Sequence, residues 1–543
     1  MGVLLYLCSV SFLRVEKKPS GTYLRILESY RKDNGKSSHR ILHNLGKLED
    51  YTPAELRSIG VKLYELGGGE LKSFLKGDIL ELDRYNYGYK QVYNKALQHY
   101  GLHHALERIN RKSKITFSLF DAVFLMLLER LQEPCSKLKN YNHQTEYLQL
   151  PSVELHHIYR SLDVLAKYSD VIQQQIYQTG RNLFNNKLDV VFYDVTTFYF
   201  QSAVEKQGQL RQMGFGKDGK IGKTQILFSM MIDKDKNPIG YEIFKGDTFE
   251  GHTFEQALDT LKIKYNIDKV VVVADRGMLS KSNIEKTISK EYDYILGERL
   301  KSLPKEAKLY LIDKANYKKQ WSYSDNQKQK IIIDYTTLEL GDKTIICTYS
   351  NKRAKKDKHD RMERIEKAKQ LLKSPSKLKN KAYRFFLKGD NKEQYQLDEK
   401  KIKEAEKYDG LMAISTNTIL DTTKVLEQYK QLYKIEQSFR TFKSHLEVRP
   451  MFHWTDKRIA GHICLCYMAL TLQNWVINKV NKSNHHITEQ ILRKTLDDMQ
   501  VSHIQNESNE FFIRAKQNSN QTKIQKALGI KPLPPMFPTS RKI

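Results

Sequence analysis

The chain has 543 residues, room for roughly two to four domains, and carries 91 Lys and Arg against 63 Asp and Glu, a net charge of +28. Folding needs no such excess; it points to a polyanionic partner, most simply nucleic acid, and the many long apolar runs set the chain apart from a purely structural RNA binder. The five cysteines are scattered with no Cys-x2-Cys pair, which argues against a zinc site and for a reducing cytoplasm, and no apolar stretch reaches about 18 residues, so no membrane span is expected.

Residues 3–13 are apolar but lack the flanks of a signal peptide, and read as a strand extension or a leader. Residues 12–44 read as a three-stranded meander. Phe12–Lys17 and Tyr23–Tyr30 alternate, Pro19-Ser20-Gly21 turns between them, and Asn34-Gly35 is a hairpin signal before Lys36–His43. Residues 53–75 look helical, interrupted by Gly67-Gly68-Gly69, and close a first domain over 1–75. A helical domain is expected over 76–186. Phe120, Val123, Phe124, Leu127, Leu128 and Leu131 fall at helical spacing, followed by Pro134-Cys-Ser and the basic Lys137-Leu-Lys139. Short helices with basic connections suit a helix-turn-helix DNA reader and equally any small helical bundle.

The β-branched and aromatic run Leu188–Phe200 reads as a strand with Asp194 inside it. Strands at Gly222–Ile232 and Pro238–Phe244 follow, then a helix at His252–Lys262. The valine run Lys269–Ala274 suits a strand buried on both faces, and Asp275 stands at its end before Arg276-Gly277. A helix at Ser280–Lys290 and a strand at Tyr292–Leu296 complete the first part of a core, 187–300. This order is that of a ribonuclease H-like mixed sheet. The interval 301–410 reads as a mostly β insertion domain, with strand-like runs at Lys308–Ile312, Lys330–Tyr335 and Lys343–Tyr349 and a basic helix at Asn351–Lys373. The second part of the core spans 411–482 and includes the apolar helix Ile459–Val480. A helical and polar tail, 483–543, is expected to be loosely ordered beyond about Ser502.

The chemistry is concentrated in three acids. In Tyr429-Lys-Gln-Leu-Tyr-Lys-Ile-Glu436-Gln-Ser-Phe-Arg-Thr-Phe-Lys443, Tyr, Glu and Lys recur every seven residues, about two helical turns, so one helix would carry all three on one face. Its core stripe is Leu432, Ile435, Phe439, Phe442 and Leu446, with Glu436 at the stripe's edge. Each acid alone has an ordinary reading, as a strand-end cap or a solvated helix face. Together, strand Asp194, strand-end Asp275 and helix Glu436 are the set that a two-metal phosphoryl-transfer site requires, because three carboxylates can hold two hard cations about 4 Å apart. The basic run Lys352–Lys358 reads as a solvated face or a phosphate contact; Trp321 reads as packing or base stacking. Gly214-Phe-Gly216 fits no phosphate cradle, and the sixteen histidines show no metal-ligand spacing.

These residues resemble a DDE-type insertion-sequence transposase of the group with a Tyr-x2-Arg-x3-Glu-x6-Lys signature. Tyr429, Glu436 and Lys443 match in type and spacing, while Leu432 stands where the signature has Arg. Further matches are Asn34-Gly35-Lys36 with Asn44-Leu-Gly46-Lys47, Arg130-Leu-Gln-Glu-Pro134-Cys-Ser-Lys137, Gly246–His252, Tyr408-Asp-Gly410 with Thr416-Asn417, and Arg449-Pro450 with His453. The resemblance implies catalysis by Asp194, Asp275 and Glu436 on two Mg²⁺ ions, for which Mn²⁺ can substitute. It implies DNA contacts from Tyr429 and Lys443, joined by Arg440, and end binding by residues 76–186. The partners implied are the transposon's terminal inverted repeats and target DNA, with a homodimer in the DNA complex, no membrane, and a bacterial cytoplasm where the protein associates with the nucleoid. A ribonuclease H-like structure-specific nuclease and an inactive DNA-binding relative are the other classes the sequence leaves open.

Overall fold

The computed structural model describes residues 11–32, 35–68, 79–180, 190–201, 203–204, 209–214, 223–324, 329–372, 383–389, 395–483, 485–506 and 509–542. The expectations for the first ten residues, Asn34, the triple glycine beyond Gly68 and most of the Gly214–Gly219 loop lie outside them. The chain divides into two compact units, Met1–Asp83 with His503–Phe512 and Arg84–Ser502 with Ile513–Ile543.

The first unit opens with an antiparallel meander, β1 (Ser11–Lys18), β2 (Gly21–Arg31) and β3 (Ser37–Lys47). Gly21, at φ +129°, makes the tight β1–β2 turn possible. Leu24 and Leu27 of the central strand are buried. Helix α1 (Pro53–Leu66) starts from a reciprocal cap: Glu55 N donates to Thr52 Oγ1 at 3.3 Å, and Thr52 N donates to Glu55 Oε2 at 2.7 Å. Strand β4 (Ile79–Asn86) carries the chain on into the second unit.

There, α2 (Gly88–His99), α3 (Leu102–Ser113), α4 (Leu119–Gln132), α5 (Lys137–His143), α6 (Leu155–Lys167) and α7 (Ser169–Gly180) form a helical layer. The core follows: β5 (Val190–Tyr199), β6 (Gln212–Met213), β7 (Thr224–Ile232), β8 (Pro238–Lys245), α8 (Glu250–Asp259), β9 (Val271–Ala274), α9 (Lys281–Ser289) and β10 (Asp293–Glu298). Across the sheet they run β8-β7-β5-β9-β10. β7 and β8 form antiparallel ladders from β5, whereas β9 and β10 are parallel. This is the ribonuclease H-like sheet. Strand β5 is buried along nearly its whole length, as its apolar and β-branched sequence, interrupted by Asp194, requires.

The stretch read as an insertion domain contains α10 (Lys305–Ile312), β11 (Lys319–Ser324), β12 (Lys330–Leu340), β13 (Lys343–Tyr349), α11 (Asn351–Leu372), the small hairpin β14 (Leu387–Lys388) and β15 (Gln396–Leu397), and α12 (Glu399–Glu406). Strand β16 (Leu411–Thr416) pairs antiparallel with β10, and β13, β12 and β11 add outward from it. The inserted strands therefore extend the core sheet. Lys308–Ile312, expected as a strand, is the end of α10. Pro304 precedes that helix and Glu306 sits in its first turn, both start signals, and Ala307 and Leu311 bury one face four residues apart.

Helices α13 (Thr422–Lys430), α14 (Tyr433–Arg440), α15 (Asp456–Asn481), α16 (Glu489–Asp497) and α17 (Ser519–Leu528) complete the described helices. α15 is long and apolar enough to cross a membrane, although no unbroken apolar run was expected to reach that length; here it is buried inside the protein. It packs against α2, α4 and α6, so residues 84–180, most of the segment read as a domain of its own, share one compact unit with the sheet. Gly461 allows the closest approach: a Cβ there would lie 2.0 Å from the Leu162 carbonyl oxygen on α6. The tail is more ordered than its composition suggested. α17 has a full capping box between Asn518 and Gln521 and buries Ile524 and Leu528.

Candidate active site

Asp194 and Asp275 are brought together by strand register. β5 and β9 run parallel with Tyr193 opposite Ala274, so the next residues along, Asp194 and Asp275, are cross-strand neighbours, on strands about 4.8 Å apart. Alternation fixes the face. Val191, Tyr193, Val195, Val272 and Ala274 all enter the apolar core on one side of the sheet. Asp194 and Asp275 therefore belong to the opposite side. Asp194 is half-buried, and its Oδ1 accepts a hydrogen bond from Val195 N at 2.7 Å. Asp275 is exposed. It precedes the 3₁₀ turn Arg276–Met278, and its side chain does not cap that turn, so the carboxylate is not consumed by the backbone.

Glu436 reaches the same face on α14, which packs over β5 and β7. Ile435, Phe439 and Phe442 are buried beneath it, and Phe442 stacks on Phe228 and Phe198 at ring separations of 5.1 and 6.0 Å. Glu436 itself is exposed at the edge of that stripe. The start of α14 is pinned to the β7–β8 turn. Lys434 Nζ donates to the Lys234 carbonyl at 2.5 Å and Lys236 Nζ donates to Gln437 Oε1 at 2.6 Å.

The expected single helix through Tyr429, Glu436 and Lys443 is broken into three pieces. At Gln431-Leu432 the ladder tightens: Leu432 N donates to Tyr429 O, and Lys434 N to Gln431 O, both three residues back. After Arg440 it widens into a π-turn, Thr441–His445, which holds Lys443. A seven-residue repeat stacks on one face only where the helix is regular, so these side chains do not form one column. Tyr429 lies in the last turn of α13, and α13 packs over β9 and β10 instead. Its hydroxyl lies against Asp275. Burial first, then the neighbouring Asp275 carboxylate, push the phenol's pKa up. Gly297, beside Asp275 on β10, makes room for it: a Cβ there would lie 2.5 Å from Tyr429 Oη and 2.9 Å from Arg276 N. Arg440 is exposed and Lys443 half-buried, and neither lines the cleft at Asp275.

That cleft, about 530 Å³, is bordered by Asp275, Tyr429 and four cations, Arg276, Arg299, Lys301 and Arg353. A second hollow of about 640 Å³ shares Arg276, Lys301 and Arg353 and adds Arg361 and Arg364. The basic run 352–358 contributes Arg353 to this wall. Arg299 and Lys301 escaped the sequence reading; their one signal was position, directly after the strand that neighbours Asp275. Trp321 lies on β11 with Tyr323, whose ring sits 3.1 Å from Lys430 Nζ, so the outer edge of the extended sheet folds back onto α13.

The donor set suits hard cations: three carboxylates and no thiolate or imidazole. Among the described residues, one group of three ligating side chains has its donor atoms within 4.8 Å of each other, His103, His104 and Glu107. The three acids are spaced more widely. Two cations about 4 Å apart need only one carboxylate common to both, so the outer two acids stand further apart than that.

Residues 185–472 match the family described as Transposase DDE domain, and residues 13–67 match the IS1634 family transposase N-terminal domain. The first match covers more than half of the 543 residues, and the chain belongs to the DDE transposases. Its reaction is accordingly DNA transposition, a DNA-cleaving and strand-transferring activity that depends on divalent metal. Among solved structures, the chain is similar to piggyBac transposase in a synaptic complex with hairpin DNA, at 9% identity over 76% of this chain and 78% of that one, with a TM-score of 0.37. It is also similar to Mos1 transposase in a paired-end complex, at 15% identity over 35% of this chain and 56% of that one, with a TM-score of 0.15. Likenesses this loose carry no residue-level detail. No curated protein sequence matches the chain.

Proposed function

We propose that Asp194, Asp275 and Glu436 hold two Mg²⁺ ions, with Mn²⁺ able to substitute, and that the chain cuts DNA at terminal inverted repeats and joins the freed ends to target DNA as a homodimer. The observation that carries this reading is the register that seats Asp194 beside Asp275 on the sheet face covered by the helix of Glu436. Bound there, the metals would activate the attacking hydroxyl and stabilise the leaving 3′ oxygen.

The remaining work falls to the chain's own groups. Asp194, between β7 and β9 on a buried strand, is the most rigidly seated of the three acids and suits the shared position. The Tyr429 hydroxyl, held near Asp275 in the space Gly297 leaves, would steady the direction of its carboxylate, as outer partners of metal ligands do. Arg276, Arg299, Lys301 and Arg353 attract and align the phosphate backbone beside Asp275, the one of the three acids that lines their cleft. Arg440 and Lys443 lie beyond the cleft and would hold phosphates further along the strand, with Leu432 leaving the signature's Arg position to one of these neighbours.

The test uses a labelled transposon-end duplex with Mg²⁺, scored for both cut and joined products. Asp194→Ala, Asp275→Ala and Glu436→Ala should each remove both products, a loss on the order of several kcal/mol of transition-state stabilisation, while end binding persists. Cutting by any of the three at the wild-type rate would remove that residue from the site.

A further inference from the structure

A second pocket lies at the other end of β5. Phe200 bridges to Met451, and Met451 N donates to the Tyr199 carbonyl at 3.0 Å. Phe200 lies six residue steps along the chain from Asp194, about 20 Å at 3.3 Å per residue. The pocket, about 490 Å³, lies between the Arg130–Lys137 segment and residues 447–462. Its floor is cationic and its rim aromatic.

Lys137 and Arg130 are buried, at 4% and 6% exposure. Among the described residues, the Lys137 ammonium has one hydrogen bond, to Asn140 Oδ1 at 3.1 Å. Arg130 donates to the Leu446 and Cys135 carbonyls, and its Nε has no partner. His462 is buried too, with Nδ1 unpartnered. The nearest acid, Glu129, is already engaged by Tyr147, Asn140, Cys135 and His143. Among the described residues, Glu447 is the one acid in the wall, against Arg130, Lys137, Arg449 and Arg458, and Arg458 also pairs with Asp163 outside it at 3.6 Å. At the rim, Trp454 and Phe452 are 52% and 70% exposed, and the Arg211 guanidinium lies 4.9 Å from the Trp454 ring.

Buried cations without counter-charges are costly unless an anion joins them. Exposed aromatic rings among cations are what nucleic-acid strands stack on. We propose that this pocket is a second phosphate-binding site, in which Lys137, Arg449 and Arg458 hold one backbone phosphate of the transposase's DNA while Trp454 and Phe452 contact the adjoining base or sugar. The inference rests on the DNA-processing reading but not on the three acids.

The electrostatics give it a signature. Burial, then the Arg130 charge, push the Lys137 pKa down to about 7, against small opposing effects of Cys466, Cys135 and Glu129. His453 is pushed down to about 3 by burial and by Lys137, Arg130 and Arg458, and His462 well down by the same surroundings, so both rings stay neutral. A bound phosphate raises the Lys137 pKa, so binding takes up a proton above pH 7, and affinity falls as pH rises through that region.

The experiment uses the full chain, the labelled end duplex without divalent metal, and inorganic phosphate as a small probe. Lys137→Met and Arg458→Gln should each weaken end binding about tenfold and lower the salt slope by about one. Lys137→Met should also flatten the fall in affinity above pH 7. Phosphate should change the Trp454 fluorescence of wild type, a response identified by its loss in Trp454→Phe, and not that of Arg458→Gln. Arg458 is a half-exposed rim residue whose packing is confined to Tyr159 and the partly exposed pair with Asp163, so Arg458→Gln is checked by an unchanged Tm. Wild-type affinity and slope in Arg458→Gln overturn the proposal whatever Lys137→Met does. If the acid variants stop cutting while both pocket variants bind as wild type, the pocket inference fails alone; if the acid variants still cut, the functional reading fails.

Discussion

Gly297 has no side chain, and Tyr429 occupies the space. In Gly297→Ala the new methyl would stand 2.5 Å from Tyr429 Oη and 2.9 Å from the Arg276 backbone. The phenol must move and Asp275 loses its outer partner. A misplacement of about 1 Å near reacting groups costs roughly a hundredfold, so cleavage should fall by about that factor while circular dichroism and Tm stay near wild type. Tyr429→Phe removes the hydroxyl beside Asp275 without the clash. It should cost about ten- to a hundredfold in metal affinity or rate, visible as a rightward shift of the Mg²⁺ dependence. Unchanged Mg²⁺ dependence would leave Tyr429 a packing residue. The family resemblance assigns Tyr429 to the DNA, and the heptad spacing presumes a straight helix that the structure breaks. The partner that captures it, Gly297, lies more than a hundred residues away and leaves no local pattern.

At the scale of elements, the strands and the places of Asp194 and Asp275 on them were legible for a single reason. Asp194 and Asp275 are charges in otherwise apolar runs, and a buried strand tolerates a carboxylate only where something else needs it. The core stripe of α14 was equally plain. The interruptions on either side of it were not, since Gln431-Leu432 and Thr441–His445 contain neither Gly nor Pro and break regularity through packing on the sheet. Lys308–Ile312 was misassigned because a short apolar run carries no period, and only the start signals around Pro304 distinguish helix from strand. Phe442 is the test of this layer. It is fully buried between Phe198 and Phe228, so Phe442→Ala should lower stability by about 3–5 kcal/mol, read as the denaturant midpoint. It should also lower cleavage, because Glu436 rides on the same packed stripe. Stability within 1 kcal/mol of wild type would show that α14 is held in place by its ends alone.

At the scale of the molecule, composition foretold the nucleic-acid partner and the chain order foretold the sheet. The way the inserted strands extend that sheet was hidden, because β16 pairs with β10 across more than a hundred residues of sequence. The helical layer is joined to the core by α15. Gly461→Ala would drive a methyl into the Leu162 carbonyl, 2.0 Å away, and push α15 off α6. Overpacking of this kind costs about 1–3 kcal/mol or more and should lower Tm by several degrees. The most direct test of the whole account is ligand identity at the three acids. Cysteine supplies a soft thiolate, which Mg²⁺ rejects and Mn²⁺ accepts more readily. Cleavage and joining by Asp194→Cys, Asp275→Cys and Glu436→Cys should therefore vanish in Mg²⁺ and return in part in Mn²⁺. Equal activity in both metals, at the wild-type level, would contradict a metal site built from these carboxylates.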